Sequence, residues 1–250
     1  MIINKHISES LAAFRPISLK EMESVKLMNR MDSKYMFHIK DLPEILASCG
    51  SHYSVVVIKN KNYSTYQTLY YDTIDYTLYN QHHSGKLNRY KIRTRTYLES
   101  ELQYLEIKFK SNKGRTTKNR IKITGTGLNT LAAEFIEKET ALKAELLKPS
   151  VQIGYNRITL VNKNYPERIT IDVNLSISKD SVTRSFGNLV IAEVKQDKLT
   201  NSTFTELMKA ARIKEGAMSK YCIGVSNLVD SVKKNNFKEN NYKIKKLTHL

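Results

Sequence analysis

Basic side chains recur at every second position in one segment of the chain. Arg89, Lys91, Arg93 and Arg95 alternate with aromatic and β-branched residues. Side chains of a β-strand point alternately to its two faces, so this spacing places all four cations on the same face. Arginine forks and lysine ammonium groups bind phosphate oxygens, and the pattern therefore predicts a strand that faces an anion.

A second strand is predicted directly after the first, beyond a turn near residue 100. Glu106 and Lys108 share one face of it with Tyr104 and Lys110. Like charges at this distance repel each other unless something negative lies between them. The alternatives are that the basic face of the first strand is simply solvated, and that Glu106 with Lys108 forms a cross-strand ion pair.

The overall charge indicates a polyanionic partner. The 250 residues carry a net charge of +17, which favours nucleic acid, an anionic membrane or a phosphate-rich ligand. Cys49 and Cys222 fit no metal-binding spacing, and no apolar run approaches the roughly 18 residues of a membrane span. We therefore expect a cytoplasmic protein with free thiols.

The same ionic alternation recurs along the rest of the chain. Further predicted strands carry Lys34, Arg120, Arg157 and Lys195, and the matching carboxylates are Glu106, Asp172 and Glu193. Residues 168–177 alternate without a break, and helices are predicted over 18–29, 41–48, 128–147 and 204–212. Strands at these spacings favour an α+β fold with an antiparallel sheet or barrel.

Two architectures satisfy this pattern. In an open sheet the ionic face meets solvent, and in a closed barrel it lines a tunnel; alternation alone does not choose between them. In a tunnel, the carboxylates could hold a divalent metal that bridges phosphates. The lysine-rich segment from residue 231 is expected to be a flexible tail.

An ordered set of short motifs carries a resemblance to a known family. The chain resembles the VTC domain of polyphosphate polymerases, within the triphosphate tunnel metalloenzyme (CYTH-like) superfamily. The matching motifs, in family order, are Asp32-Ser33-Lys34-Tyr35, Tyr70-Tyr71-Asp72-Thr73, His83-Ser84-Gly85, Lys91-Ile92-Arg93-Thr94-Arg95, Leu105-Glu106-Ile107-Lys108, Lys118-Asn119-Arg120, Tyr155-Asn156-Arg157, Ile169-Thr170-Ile171-Asp172, Glu193-Val194-Lys195 and Ser219-Lys220-Tyr221.

The resemblance implies a fold and an activity. The fold is an eight-stranded antiparallel β-barrel, the triphosphate tunnel, formed by residues 1–230 with helices packed outside. The activity is transfer of the γ-phosphoryl group of ATP to a growing inorganic polyphosphate chain with Mn²⁺ or Mg²⁺. It also implies a separate membrane protein as partner. Binding of a specific nucleic acid is not expected.

The resemblance assigns roles residue by residue. The residues expected to act on the transferred phosphoryl group are Lys34, Arg93, Arg95, Lys108, Arg157 and Lys220. Further phosphate contacts are expected from Lys91, Arg120, Lys195 and Ser219. Glu193 is expected to bind the metal, with Glu106 as a second carboxylate.

One departure from the superfamily bears on the reaction. Its first strand carries an alternating Glu-x-Glu-x-Lys motif, whereas this chain has Arg-Met-Asp-Ser-Lys at residues 30–34. Only one of the two acids has a counterpart, which disfavours a two-metal triphosphatase. The alternatives are a metal-dependent tripolyphosphate or nucleoside-triphosphate hydrolase, or a non-catalytic polyphosphate-binding module. Nucleic-acid binding lacks a recognisable motif.

Overall fold

The computed structural model describes residues 5–24, 31–125, 127–197 and 201–248. The strands in these residues are β1 (Arg15–Ile17), β2 (Met31–His38), β3 (Tyr53–Val56), β4 (Ser64–Asp72), β5 (Arg89–Tyr97), β6 (Leu102–Lys110), β7 (Thr116–Lys122), β8 (Lys148–Asn162), β9 (Glu167–Lys179), β10 (Val182–Phe186) and β11 (Leu189–Gln196). The helices are α1 (Lys5–Ala12), α2 (Leu19–Ser24), α3 (Leu42–Cys49), α4 (Thr77–His83), α5 (Thr130–Thr140), α6 (Thr203–Ala210), α7 (Lys220–Leu228) and α8 (Lys238–Thr248).

The strands form one large sheet. Its main path of eight antiparallel strands runs β2-β11-β9-β8-β4-β5-β6-β7. The short β10 pairs with β9, and β3 joins β8 while also pairing in parallel with β1. The predicted α+β class with eight antiparallel strands is confirmed.

The sheet is open, in contrast to the predicted closed barrel. Among the described residues, β2 and β7 form the two ends of the path and do not pair with each other. The outer edge of β2 is occupied instead by the segment before α7. There, the Gly216 amide donates to the Lys34 carbonyl at 2.9 Å, and Glu215 bridges Tyr35. This segment takes the backbone groups that closure would have used.

The open sheet is strongly curled, so that charged side chains of distant strands interact across it. Lys108 on β6 and Glu193 on β11 are five strands apart along the path. A flat sheet would separate them by about 24 Å at roughly 4.8 Å per strand. Glu193 nevertheless contributes to the pKa of Lys108, so the two side chains face each other across a concave surface. We call this surface the concave face.

A β-bulge changes which residues of β9 reach the concave face. The pairing between β8 and β9 shifts by one residue near Asn174, whose φ is 54°. An extra residue reverses the inward and outward alternation of a strand. Ile169 and Ile171 therefore pack outside, while Ile177 joins the cluster on the concave side. The uninterrupted alternation predicted for residues 168–177 is wrong at this point.

Helices cover the convex side and fill one end of the concave side. Outside, Ile169 and Ile171 pack against residues of α3 and α6. At one end of the concave face, Tyr221 and Ile223 of α7 join Tyr155 in a buried cluster. Gly224 permits this approach, because a Cβ there would lie 3.1 Å from methyl groups of Ile177 and Val151. The end of the concave face that α7 covers is therefore apolar.

The helix that was predicted over residues 18–29 begins as expected. The Ser18 amide donates to Glu21 Oε2 at 2.7 Å, and the Glu21 amide donates to Ser18 Oγ at 3.2 Å, which is the predicted capping box. Helix α2 is described to Ser24, and residues 25–29 of the prediction lie outside the described residues. None of the described helices combines the length and apolar character needed to cross a membrane.

The segment that was predicted to be a flexible tail contains α8. Ile244 is 2% exposed in the cluster around α7, and Phe237 lies 5.7 Å from Tyr79 between ring centroids. The Asn241 side chain also hydrogen-bonds Ser226 and Asn227 of α7. High lysine content concealed the few apolar positions that dock this helix, because they are sparse rather than periodic over a long stretch.

Replacing Ile244 by alanine tests this docking. We expect the free energy of unfolding in urea to fall by about 2–4 kcal/mol, because a buried isoleucine loses its packing and leaves a cavity. Tyr242→Ala, at a side chain that is 70% exposed, is the matched control and should change it by less than about 0.5 kcal/mol. Equal effects of the two substitutions would contradict a docked α8.

Candidate active site

Strand register places three lysines side by side on the concave face. Lys91 of β5 is directly opposite Lys108 of β6, and Lys108 is directly opposite Lys118 of β7. Facing side chains in such pairs have Cβ atoms about 4.5–5.5 Å apart. The described residues place no carboxylate oxygen within 4 Å of the Lys91 or Lys108 ammonium group, so these two lysines of the row have no ion-pair partner there.

The next row is organised around a wholly buried carboxylate. Glu106 accepts two hydrogen bonds from Arg93, at 2.9 Å from Nε and 2.7 Å from Nη2. Lys118 Nζ lies 3.3 Å from Glu106, and Arg95 Nη1 lies 3.6 Å from it. Burial alone would raise the pKa of Glu106, but Arg93, Arg95 and Lys118 hold it well below its usual range. Glu106 is therefore an anion committed to three cations.

A second buried carboxylate also contacts several cations, on the opposite side of the concave face. Asp172 of β9 receives a fork from Arg157, with Nε at 2.6 Å and Nη2 at 2.8 Å. Lys220, the first residue of α7, reaches the same carboxylate at 2.5 Å. Burial opposes ionisation, yet Arg157 and Lys220 lower the pKa of Asp172 to about 2. This contact joins α7 to the strands.

Glu193 is the most accessible of the three carboxylates. It pairs with Lys195 on its own strand and with Lys34 on β2 at 3.3 Å. Its side chain is 23% exposed, compared with 0% for Glu106 and 3% for Asp172. Burial opposes its charge, but Lys195 and Lys34 hold the pKa of Glu193 well below its usual range. An incoming ligand can therefore reach this carboxylate most directly.

The surroundings of Lys108 lower the pKa of its amine. The neighbouring Arg93 and then burial lower the pKa of Lys108 to about 6. Burial is the first cause of the lowered pKa of Lys91, and Arg93 contributes. A bound phosphate would favour the protonated amine again.

Aromatic rings hold the guanidinium groups in place. Arg93 Nη1 donates to the Tyr70 hydroxyl at 2.8 Å. The Arg157 guanidinium lies 5.0 Å from the Tyr66 ring centroid and 5.3 Å from that of Tyr155. Arginine stacks well on aromatic faces, so these rings fix the direction in which each fork points. Strand periodicity did not predict this role for the tyrosines.

The concave face brings together most of the residues to which the resemblance assigned roles. These are Lys34, Lys91, Arg93, Arg95, Lys108, Arg120, Arg157, Lys195 and Lys220, with Glu106 and Glu193. Lys118 was not among the predicted site residues, although its alternation with Arg120 on a predicted strand was the signal that could have identified it. Its contact with Glu106 makes it part of the lining.

Ser219 has a local structural role. It is the N-cap of α7, and its hydroxyl oxygen accepts a hydrogen bond from the Cys222 amide at 3.4 Å. Such a cap satisfies one of the free amides at a helix start. The cap places Lys220 at the edge of the concave face, and a direct phosphate contact from Ser219 stays a prediction.

The carboxylates allow one way of binding a divalent metal. The described residues contain no group of three or more His, Cys, Asp or Glu that could hold an ion by themselves. Mg²⁺, however, is commonly bound by one or two carboxylates plus substrate phosphates and water. Both oxygens of Glu193 and of Glu106 contact cations, but Glu193 is partly exposed whereas Glu106 is wholly buried, so Glu193 fits that arrangement better.

Comparison with solved structures identifies the fold. A candidate adenylate cyclase from Bacillus halodurans matches with a TM-score of 0.52 and 10% sequence identity, over 81% of this chain and 98% of that chain. A candidate adenylyl cyclase from Hippeastrum, described as revealing a dominant triphosphatase activity, has a TM-score of 0.46 and 13% identity over 79% of this chain and 96% of that chain. At 10% sequence identity, the likeness to the Bacillus halodurans structure concerns the fold alone.

Comparison with family sequence models identifies the family of the chain. The sequence model of the VTC domain matches residues 29–229, and the chain belongs to this family. No curated protein sequence matches it significantly. The family resemblance that the motifs predicted is confirmed.

The lowered pKa of Lys108 predicts a pH-dependent affinity for phosphates. Above pH 6 the free amine is neutral, so binding of an anion must take up a proton. Affinity for tripolyphosphate should therefore fall as pH rises from 6, by up to about tenfold per pH unit from this residue. Calorimetric titrations of wild type and Lys108→Met at several pH values measure the difference.

Tripolyphosphate also ionises in this pH range, but this contribution to the pH dependence is the same for every variant and cancels when variants are compared. Lys138→Met, at an exposed lysine on α5, is the control and should follow wild type. Lys108→Met should show a flatter decline. Parallel profiles for wild type and Lys108→Met would show that Lys108 does not exchange a proton when phosphate binds.

Proposed function

We propose that the chain is a polyphosphate polymerase that transfers the γ-phosphoryl group of ATP to a growing inorganic polyphosphate chain. Lys91 and Lys108 carry this proposal, because neither contacts a carboxylate among the described residues, whereas most neighbouring cations of the lining are paired. Membership of the VTC domain family supports it. ATP and inorganic polyphosphate are then the ligands of the concave face.

The lining suits phosphoryl transfer, which depends on position and charge more than on covalent chemistry. Arg93 and Arg157 are held by Glu106 and Asp172, so their guanidinium groups are oriented before the substrate arrives. Cations fixed in this way stabilise the charge that develops on the transferred oxygens. Lys108 becomes protonated when phosphate binds and adds a charge where it is needed.

No general base is required on the acceptor side. The end of a polyphosphate chain is already ionised at neutral pH, unlike the hydroxyl group of an alcohol acceptor. Glu193 would hold Mn²⁺ or Mg²⁺ together with phosphate oxygens, and the ion would neutralise phosphate charge. Glu106 is committed to three cations, and we assign the metal role to Glu193 alone. Association with a membrane protein partner stays a prediction.

Incubation with ATP and Mn²⁺, followed by a gel stained for polyphosphate, tests the reaction. We expect a ladder of long chains from wild type. Glu193→Gln should lower the rate by roughly 10²-fold or more, because a neutral amide no longer attracts the ion. Glu134→Gln, on the exposed side of α5, should leave the rate unchanged.

The products distinguish the rival activities. Release of orthophosphate without a ladder would contradict the polymerase and indicate a hydrolase. Retention of added polyphosphate without turnover would indicate a binding module on the scaffold of an enzyme. A ladder that persists at full rate in Glu193→Gln would contradict the metal assignment.

A further inference from the structure

An acid-free segment extends from the site toward the surface. Between Glu106 and Glu134 the sequence has no Asp or Glu. The Lys and Arg residues of this interval are Lys108, Lys110, Lys113, Arg115, Lys118, Arg120 and Lys122. The interval forms the second half of β6, a tight turn and the edge strand β7, which we call the basic hairpin (residues 107–122).

The cations of the concave face continue onto this hairpin without interruption. Beyond the row of Lys91, Lys108 and Lys118, the next pair in register is Arg89 with Lys110. Lys110 points to the same face as Lys108, because the two are two residues apart on one strand, about 6.8 Å along it. Lys113 follows at the turn. The positive path thus leads out of the site and ends at the hairpin tip.

Backbone contacts make the tip a defined structure. The Ser111 amide donates to the Arg115 carbonyl at 2.9 Å, and the Gly114 amide donates to Ser111 at 3.1 Å. Gly114 has a φ of 73°, a conformation that suits glycine. The Asn112 amide donates to the Asn88 side chain at 2.9 Å, which ties the tip to the loop before β5. The lysines are therefore presented from a fixed backbone.

Exposure separates the hairpin from the interior of the site. Residues 112–120 are all exposed, whereas Arg93 and Arg95 are 7% and 8% exposed. Lys86 is also exposed beside the hairpin, and its carbonyl accepts from Arg89 Nη1 at 2.6 Å. Inside the site, arginine forks give fixed geometry; outside it, Lys86, Lys110 and Lys113 are flexible point charges. This gradient suits a ligand that is held firmly at one end and loosely beyond it.

We propose that the basic hairpin, with Lys86, binds the part of an inorganic polyphosphate chain that lies outside the concave face. The inference rests on the proposed function, in which a linear polyanion grows at the site. Mobile ammonium groups attract each phosphate unit without selecting one register, so the chain can advance along them as it lengthens. The hairpin would thereby retain the product between successive additions.

The composition of the hairpin favours polyphosphate over other polyanions. Residues 110–122 include no aromatic side chain, and single-stranded nucleic acids are usually held by bases stacked on aromatic rings. Membrane-bound surfaces also use several exposed aromatic and apolar groups, whereas residues 111–115 of the tip have none and only Leu87, beside Lys86, is a large exposed apolar side chain near it among the described residues. A chain of phosphates alone needs only the charges that the hairpin provides.

The test compares long and short ligands on matched variants. The hairpin variant combines Lys86→Gln, Lys110→Gln and Lys113→Gln. Its control combines Lys59→Gln, Lys61→Gln and Lys209→Gln, which remove equal charge from other exposed positions. Equilibrium binding of tripolyphosphate and of a polyphosphate of about 60 units is measured at several salt concentrations.

We expect the hairpin variant to bind the long chain roughly 10- to 100-fold more weakly than wild type, with a smaller salt dependence. Three lost contacts should reduce the slope of log affinity against log salt by about 2. Tripolyphosphate affinity should stay within about twofold, and the control should resemble wild type for both ligands.

Three results would overturn the inference. One is unchanged affinity of the hairpin variant for the long chain. Another is an equal loss in the control, which would mean that net charge alone acts. The third is single-stranded DNA or anionic vesicles that bind as tightly as polyphosphate and lose as much in the hairpin variant. Failure of wild type to bind tripolyphosphate at all would instead contradict the proposed function.

Discussion

Mutual repulsion among cations is the constraint on which the rest of this structure depends. Adjacent strands place lysines and arginines opposite one another, where neutral or opposite charges would be more stable. Glu106, Asp172 and Glu193 each relieve part of that repulsion by contacting two or more cations. Lys91 and Lys108 have no such carboxylate contact among the described residues, and Arg93 and burial lower the pKa of Lys108 to about 6. A bound anion would relieve this remaining repulsion.

Carboxylates and aromatic rings therefore do two things at once. They make a dense cationic lining compatible with folding, and they orient the guanidinium groups before any substrate binds. A buried ion pair contributes little net stability when its desolvation is counted, so its value here lies in preorganisation. The contact of Lys220 with Asp172 extends the same principle to α7, whose apolar residues close one end of the concave face. The same contacts therefore serve both folding and the orientation of the cations.

Strand periodicity made much of the fold and lining predictable, because alternation fixes which side chains share a face. Strand periodicity did not predict the long-range geometry of the sheet. The bulge near Asn174 changes the alternation within one strand, and the segment at Gly216 occupies the edge needed for barrel closure. Residue type also did not reveal that Glu106 is wholly buried among three cations while Glu193 stays accessible. That distinction follows from the position of each strand in the sheet, which only the folded chain defines.

Thermal unfolding with and without tripolyphosphate tests most directly that the concave face requires a phosphate anion. A ligand that binds only the folded state stabilises it by about 4 kcal/mol at a thousand times its Kd. We predict that millimolar tripolyphosphate raises the Tm by several degrees, while sodium chloride of equal ionic strength does not. An equal shift with both salts would mean that screening alone relieves the repulsion, and no shift with either would mean that the cations are already balanced. Either result would contradict a phosphate-binding site.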